Sequence, residues 1–429
     1  MKELPFRLLT FNCHEAWVHQ LQSLALDLYI VDGLPGRYCA SWDERVRPLP
    51  RNCHILSLPE VLRKNPPFDC IVTHNLTDLL DSKSLWGPRI LVIHSTLEGR
   101  RRQQGLRIAP DLLKNSLQKY LAWIGGHGAA VSRLKGESWG IVEDIVEFGV
   151  DIRQYRPWSG EMAAGLRVSN QILSRKEILL WDFHQSAFKD IPVRLVGYNP
   201  NMPGVNPSRS WEDLKEILSS HRFFIHTAHP ELEDGYNMAT LEAMAAGLPV
   251  LGNRHASSPV EHGVSGFLSD DPAELNRYAR TLIQDRNLAR KMGEAAKKTV
   301  GDRFSMERFA LRFRGSIVRA WRKWGTRQAP DSFFTGGKEI RESFPSFGRL
   351  KTLRQAETFR EQMAAREIEE AVGTLDDLLK ILNQPRAREI GTMEDFFHLV
   401  IEIGERLRAA DDPQSAFILS RAMLEFLDS

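Results

Sequence analysis

The strongest constraint on this fold is an alternation from the first residues to about Trp321: short apolar or β-branched runs separated by amphipathic, helix-period stretches. Leu8–Phe11, Leu28–Val31, Cys70–Thr73, Ile90–His94 and Gly128–Ser132 are runs of this kind. They lack the polar alternation of a strand with one wet face, so they predict strands covered on both sides. Stretches such as Leu112–Trp123 between them carry the helical period. Strand-helix alternation of this kind builds a doubly wound parallel sheet with helices on both faces.

The pattern pauses at Phe148–Gly160, a segment punctuated by Gly149, Pro157 and Gly160 that suits a hinge. It restarts with Val193–Gly197, Phe223–Thr227, Val250–Gly252 and Gly266–Leu268, with a helix capped by Asp271 and opened by Pro272. The expected architecture is α/β, with two Rossmann-like doubly wound parallel-sheet domains facing a cleft and a C-terminal helical extension. The expected boundaries are 1–155, 156–325 and 326–429. Residues 329–337 look like a linker. Beyond them only helix-period apolar positions recur, among them Ile368, Val372, Leu375, Leu378, Leu379 and Leu382. A length of 429 residues accommodates two or three domains.

An apolar share of 42%, a charged share of 26% and a net charge of only +2 describe a globular chain without a global basic field. Nucleic acid is therefore not an expected partner, and any anion site must be local. Four cysteines, Cys13, Cys39, Cys53 and Cys70, include no CxxC pair, which favours free thiols in a reducing compartment. Pro5 and Arg7 break the opening segment, and no apolar run is long enough to span a bilayer. The expected location is cytoplasmic, with a peripheral contact at the inner membrane surface as a further option.

Chemistry concentrates in His229–Val250. This stretch follows a strand, passes through a loop containing Asp234 and Gly235, and opens a helix at about Met238. A helix N-terminus carries unpaired N–H groups and partial positive charge, so Tyr236, Asn237 and Met238 are placed to meet a diphosphate. Gly235 is expected to provide close backbone approach and a positive φ. Glu242, one turn into the helix, is placed to accept hydrogen bonds from vicinal ribose hydroxyls. Asp234 could hold sugar hydroxyls from the loop side. A plain buried helix with a solvated acid is the bland alternative.

This stretch resembles the signature of the retaining family-four glycosyltransferases, E-G-F-G-L-x-x-x-E-A-M-A-x-G-x-P-V. Gly235, Glu242, Ala243, Met244, Ala245, Gly247, Pro249 and Val250 match it, while Asp234 stands where the family has glutamate. Tyr236, Asn237 and Met238 replace the aromatic, the second glycine and the leucine. Ser257–Glu261 resembles the family's loop near the diphosphate, which makes Glu261 a donor-side candidate. Ala130–Ser132, then Gly149–Asp151 and Tyr155–Pro157, resemble the family's interdomain crossing. The resemblance implies the two-domain GT-B fold and a nucleotide-diphospho-sugar bound as substrate, with no cofactor. It also implies transfer with retention to an acceptor hydroxyl on a glycan, a lipid-linked molecule or a protein.

The family's Arg/Lys phosphate clamp has Arg167, Arg175 and Lys176 as candidates, although their spacing differs from the family's. His94, at the end of its strand, resembles the family's histidine beside the sugar and could position or deprotonate the acceptor; a structural histidine is the alternative. His14 and His19 are one residue too far apart for a His-Glu-x-x-His zinc site. No Asp-x-Asp motif appears, so no metal is expected. Arg100–Arg102 lies on a cleft-side loop. The basic, aromatic-rich Phe309–Arg327 reads as a helix crossing back to the first domain, with docking on anionic lipid as the other reading. A nucleotide-sugar epimerase, or a non-catalytic sugar-nucleotide-binding subunit whose helical tail recruits a partner or a second copy, fits the same fold.

Overall fold

The computed structural model describes residues 6–34, 39, 41–64, 68–104 and 109–329; the expected helical extension lies outside them. Two wholly parallel sheets form. The first contains β1 (Arg7–Phe11), β2 (Asp27–Asp32), β3 (Cys53–Ser57), β4 (Cys70–Thr73), β5 (Arg89–Ile93) and β6 (His127–Ala130), in the order β3-β2-β1-β4-β5-β6. The second contains β7 (Met162–Val168), β8 (Val193–Val196), β9 (His221–Ile225), β10 (Val250–Gly252) and β11 (Gly266–Leu268), in the order β11-β10-β9-β7-β8. Each order reverses once, and open α/β sheets bind ligands outside the strand ends at such a reversal.

The central strands are those whose sequences are richest in apolar residues. In β5 every residue is buried, and in β4 likewise. Edge strand β3 is half-exposed along most of its length, which is why its sequence carries no buried-strand signature. Strand β7 was also absent from the sequence reading. Its first half is exposed Met162-Ala-Ala, with little β propensity, and its position between β8 and β9 comes from sheet pairing.

The crossing segment near residues 148–160 is tied at several points. Val150 bridges to Ser305, and the Trp158 indole donates to the His221 carbonyl at 2.8 Å. Phe148 packs against the apolar cores of both domains. The helix Met306–Gly325 returns to the first sheet and buries Phe309, Phe313, Ile317 and Ala320 against Leu8, Trp17 and Val92. Part of its basic run is used in doing so, since Arg312 pairs with Glu147 and Arg319 with Asp144. All four cysteines are free, with Cys39 and Cys70 buried. Among the described residues no helix is long and apolar enough to cross a membrane.

Candidate functional site

Strand β9 ends at Ile225, and the following loop carries Glu233, Asp234 and Gly235 to the helix Met238–Ala245. Asn237 caps that helix, accepting from the Thr240 amide at 2.9 Å, while the Thr240 hydroxyl accepts from the Asn237 amide. This capping box fixes where the helix starts. Leu241, Ala243, Met244 and Ala245 are core residues, and Met238 packs against the same core. Tyr236 is also core, packed on Phe148 and Phe304, so its ring braces the loop from behind. Gly235 does not adopt the expected positive φ. Its glycine is demanded by contact, because a Cβ there would lie 2.7 Å from the His255 side chain. Its amide donates to the Ser257 hydroxyl at 2.9 Å, joining the 235 loop to the Ser257–Glu261 loop.

Both acids of this element are buried, Glu242 at 5% exposure and Asp234 at 1%, and both meet the first domain. Glu242 Oε1 pairs with Arg47, whose guanidinium lies over the Trp211 ring. Lys135 Nζ stands 2.7 Å from Glu233 Oε1 and 3.1 Å from Asp234 Oδ2. Burial pulls the Lys135 ammonium down, but Glu233 and Asp234 outweigh it, so its pKa ends above the usual value. Burial likewise pushes Glu233 up, and Lys135 with Arg175 overcomes this to hold it below the carboxylate range. Asp234 Oδ1 has no hydrogen-bond partner. A further contact joins the domains here, since the Thr96 hydroxyl donates to the Leu232 carbonyl at 2.6 Å. At Gly99 a Cβ would sit 2.6 Å from that carbonyl, so only glycine permits the approach.

The expected phosphate-clamp residues do not gather into one fork. Arg167 lies within β7 and donates to the Thr227 hydroxyl at 2.8 Å and the Leu179 carbonyl at 3.1 Å. Burial first, then nearby Arg175, lowers its pKa to about 9. Arg175 pairs with Glu233 at 3.2 Å, and Lys176 is exposed. Glu261 is exposed beside a shallow depression that Ser258, Asp302 and Arg303 also line. Arg100–Arg102 lies not on a loop, as expected, but within the helix Leu97–Gln104, from which Arg102 reaches Glu177 of the second domain.

On the first-domain side His94 follows β5, His74 follows β4 and Cys13 lies just beyond β1, three neighbouring strands. His94 Nε2 and His74 Nδ1 stand 3.0 Å apart, and Thr10 Oγ1 holds the other His74 nitrogen at 2.8 Å. The ring of Trp17 meets both imidazoles edge-on. Burial lowers His74 to about 3, and burial with His74 and Lys135 places His94 well below the usual histidine value. Both rings are thus neutral near pH 7, the form that can accept a proton. The ligand atoms of Cys13, His74 and His94 lie within 4.8 Å of one another, the one described trio close enough to share a metal ion. His14 is exposed, and His19 is turned to the Pro48 carbonyl.

Sequence reasoning missed Arg47, Lys135 and His74. Arg47 lies among the similar Arg45 and Arg51, and its partner is 195 positions away. No local pattern carries such a pairing.

Residues 204–299 match the family model described as "Glycosyl transferases group 1". That stretch, which lies within the second domain, is similar to the group 1 glycosyltransferases. A stretch of 106 residues is 32% identical to N-acetyl-alpha-D-glucosaminyl L-malate synthase of Bacillus anthracis, covering 24% of this chain and 27% of that protein. Another is 26% identical over 106 residues to O-antigen chain mannosyltransferase B of Escherichia coli, covering 25% and 24%. The chain thus spans about a quarter of the length of these curated relatives. In fold it is similar to HepE of Anabaena, solved in complex with UDP-glucose, with a TM-score of 0.53 at 14% identity over 73% of this chain and 99% of that one. It is also similar to a glycosyltransferase from Rickettsia africae, with a TM-score of 0.50 at 14% identity over 74% and 98%. The two parallel-sheet halves expected from the alternation are both present, and together they form the GT-B fold that the resemblance implies.

Proposed function

We propose that this protein transfers a sugar, with retention, from a nucleotide-diphospho-sugar to the hydroxyl of a glycan, lipid-linked or protein acceptor. The observation that supports this most is the placement of Asp234 and Glu242, two buried acids on one loop-helix element facing the first domain across the cleft. Glu242 would hold the ribose hydroxyls, the start of the Met238–Ala245 helix the diphosphate, and Asp234 the sugar. Arg175, half-buried next to Glu233, is the nearest candidate cation for the leaving phosphate. UDP is the leading base, because HepE is named as holding UDP-glucose.

In the proposed reaction the donor C1–O bond breaks and an acceptor oxygen bonds to C1 on the same face. The acceptor proton passes to the departing diphosphate, so no enzyme nucleophile is required. Neutral His94 would orient that hydroxyl from the first domain. Residues 1–155 would then be the acceptor half and 156–325 the donor half, with residues past 326 serving attachment to a partner or a second copy.

The test is a thermal-shift panel of UDP, GDP, ADP and their common sugars, followed by product analysis with the preferred donor. A sugar-acceptor adduct with the donor's anomeric configuration is expected. An epimerised donor, or binding without turnover on any acceptor class, would overturn the reading.

A further inference from the structure

The segment 41–52 between β2 and β3 has no regular secondary structure, yet it reaches from the first domain into the donor half. Its base is fastened. The Trp42 amide donates to Asp32 Oδ2 at 3.0 Å, the Trp42 indole donates to the Arg47 carbonyl at 2.9 Å, and the Asp43 amide donates to Glu15 Oε1 at 3.2 Å. From this anchored turn the Arg47 side chain extends into a slot formed by Glu242 and Trp211, where it is buried. Its guanidinium carbon lies 3.5 Å from the centre of the Trp211 ring, the spacing of two stacked planes. Trp211 itself is held edge-on by Tyr155.

Resting on the assignment of Glu242 to the donor's ribose, we propose that Arg47 closes the nucleoside subsite, lying where the base would stack on Trp211 and bonding the acid that would bind the ribose. A planar guanidinium over an indole with a bond to a carboxylate has the shape and contacts of a nucleoside in the same slot. An aromatic face accepts any base by stacking, so Trp211 supplies affinity without sequence-like readout. Glu242 Oε1 and the covered face of Trp211 serve Arg47 or the nucleoside, but not both. The donor must displace this side chain. Nucleotide binding is therefore coupled to opening of the 41–52 turn, and donor association is slower than the open slot would allow.

The experiment uses the full chain and titrates UDP, GDP and ADP by calorimetry and by stopped-flow tryptophan fluorescence. Variants are Arg47→Ala, Arg47→Gln and Trp211→Leu, each first checked for a wild-type melting profile. Removing Arg47 should make association with the preferred nucleotide at least tenfold faster and binding at least tenfold tighter. Trp211→Leu should weaken binding at least tenfold, with or without Arg47. Wild-type binding that either Arg47 variant leaves unchanged or weakens would overturn the closing role while sparing the donor assignment. Folded proteins that bind none of the nucleotides, with or without Arg47, would overturn both. The Gln variant keeps the test available if the Ala variant does not fold.

Discussion

Glu242 sits on a helix whose neighbouring side chains are core, so its own contribution is separable from that of the helix. Replacing it with glutamine keeps the volume and removes the charge. A hydrogen bond to a charged group contributes roughly 1.5–3 kcal/mol. Glu242→Gln is therefore expected to weaken nucleotide affinity about tenfold to a hundredfold by calorimetry, and to lower the melting temperature as well, because it strands the buried Arg47 guanidinium. Unchanged affinity would remove Glu242 from the donor site. Lys135 answers to a different physics. It is a buried cation shared by Glu233 and Asp234, and deleting one partner of a buried ion cluster costs about 3–5 kcal/mol because the remaining charge is stranded. Lys135→Met should lower the unfolding free energy from urea titration by an amount in that range. In that variant burial is opposed only by Arg175 and the Asp234 amide, so the Glu233 pKa rises. The variant's deficit relative to wild type should then shrink as the pH falls and Glu233 takes up a proton.

The elements differ in how much of them could be read from the chain. The mostly apolar β4 and β5 announce themselves, and so does the helix at Pro272, where Asp271 accepts from the Ala273 amide at 3.0 Å as its sequence predicts. Edge strand β3 and the weakly β-forming start of β7 do not, because pairing partners rather than their own residues hold them extended. The donor loop was legible as far as its acids and its helix start. The cations that face those acids, Arg47 and Lys135, come from distant sequence, and only the fold brings them there. The helix Met306–Gly325 shows the same division. Its period was readable, while its basic residues pair with Asp144 and Glu147, acids that nothing local connects to it. Phe313 is fully buried in this helix and packs on the first-domain core, whereas Leu311 is 72% exposed. Phe313→Ala should cost about 3–5 kcal/mol by chemical denaturation, and Leu311→Ala within about 0.5 kcal/mol. Equal costs would mean that the helix does not dock through the Phe313 face.

At the scale of the whole molecule, enclosure of both strand-end regions strips water from several imidazoles at once. Burial, then nearby His14, lowers His74 to about 3. Burial is the chief cause for His226, lowered to about 4 despite its bond to the Asp234 carbonyl. Burial and then Arg167 take His184 to about 2. Each folded-state value lies below the roughly 6.5 of an unfolded histidine, so below that pH the unfolded chain binds protons that the folded chain refuses. Stability should therefore fall as the pH drops from about 7.5 through 6.5. At pH 5.5 an unfolded histidine has gained about 1.4 kcal/mol from protonation, so three such groups together remove about 4 kcal/mol. That is a large part of the roughly 5–15 kcal/mol that holds a typical domain. Urea midpoints measured at pH 7.5 and 5.5 check this: the second should lie well below the first. His226→Gln and His184→Gln, compared as differences between pH 7.5 and 5.5, should each shrink the drop by about 1.4 kcal/mol. A profile that stays flat to pH 5.5 would mean that water and protons reach these rings in the folded protein.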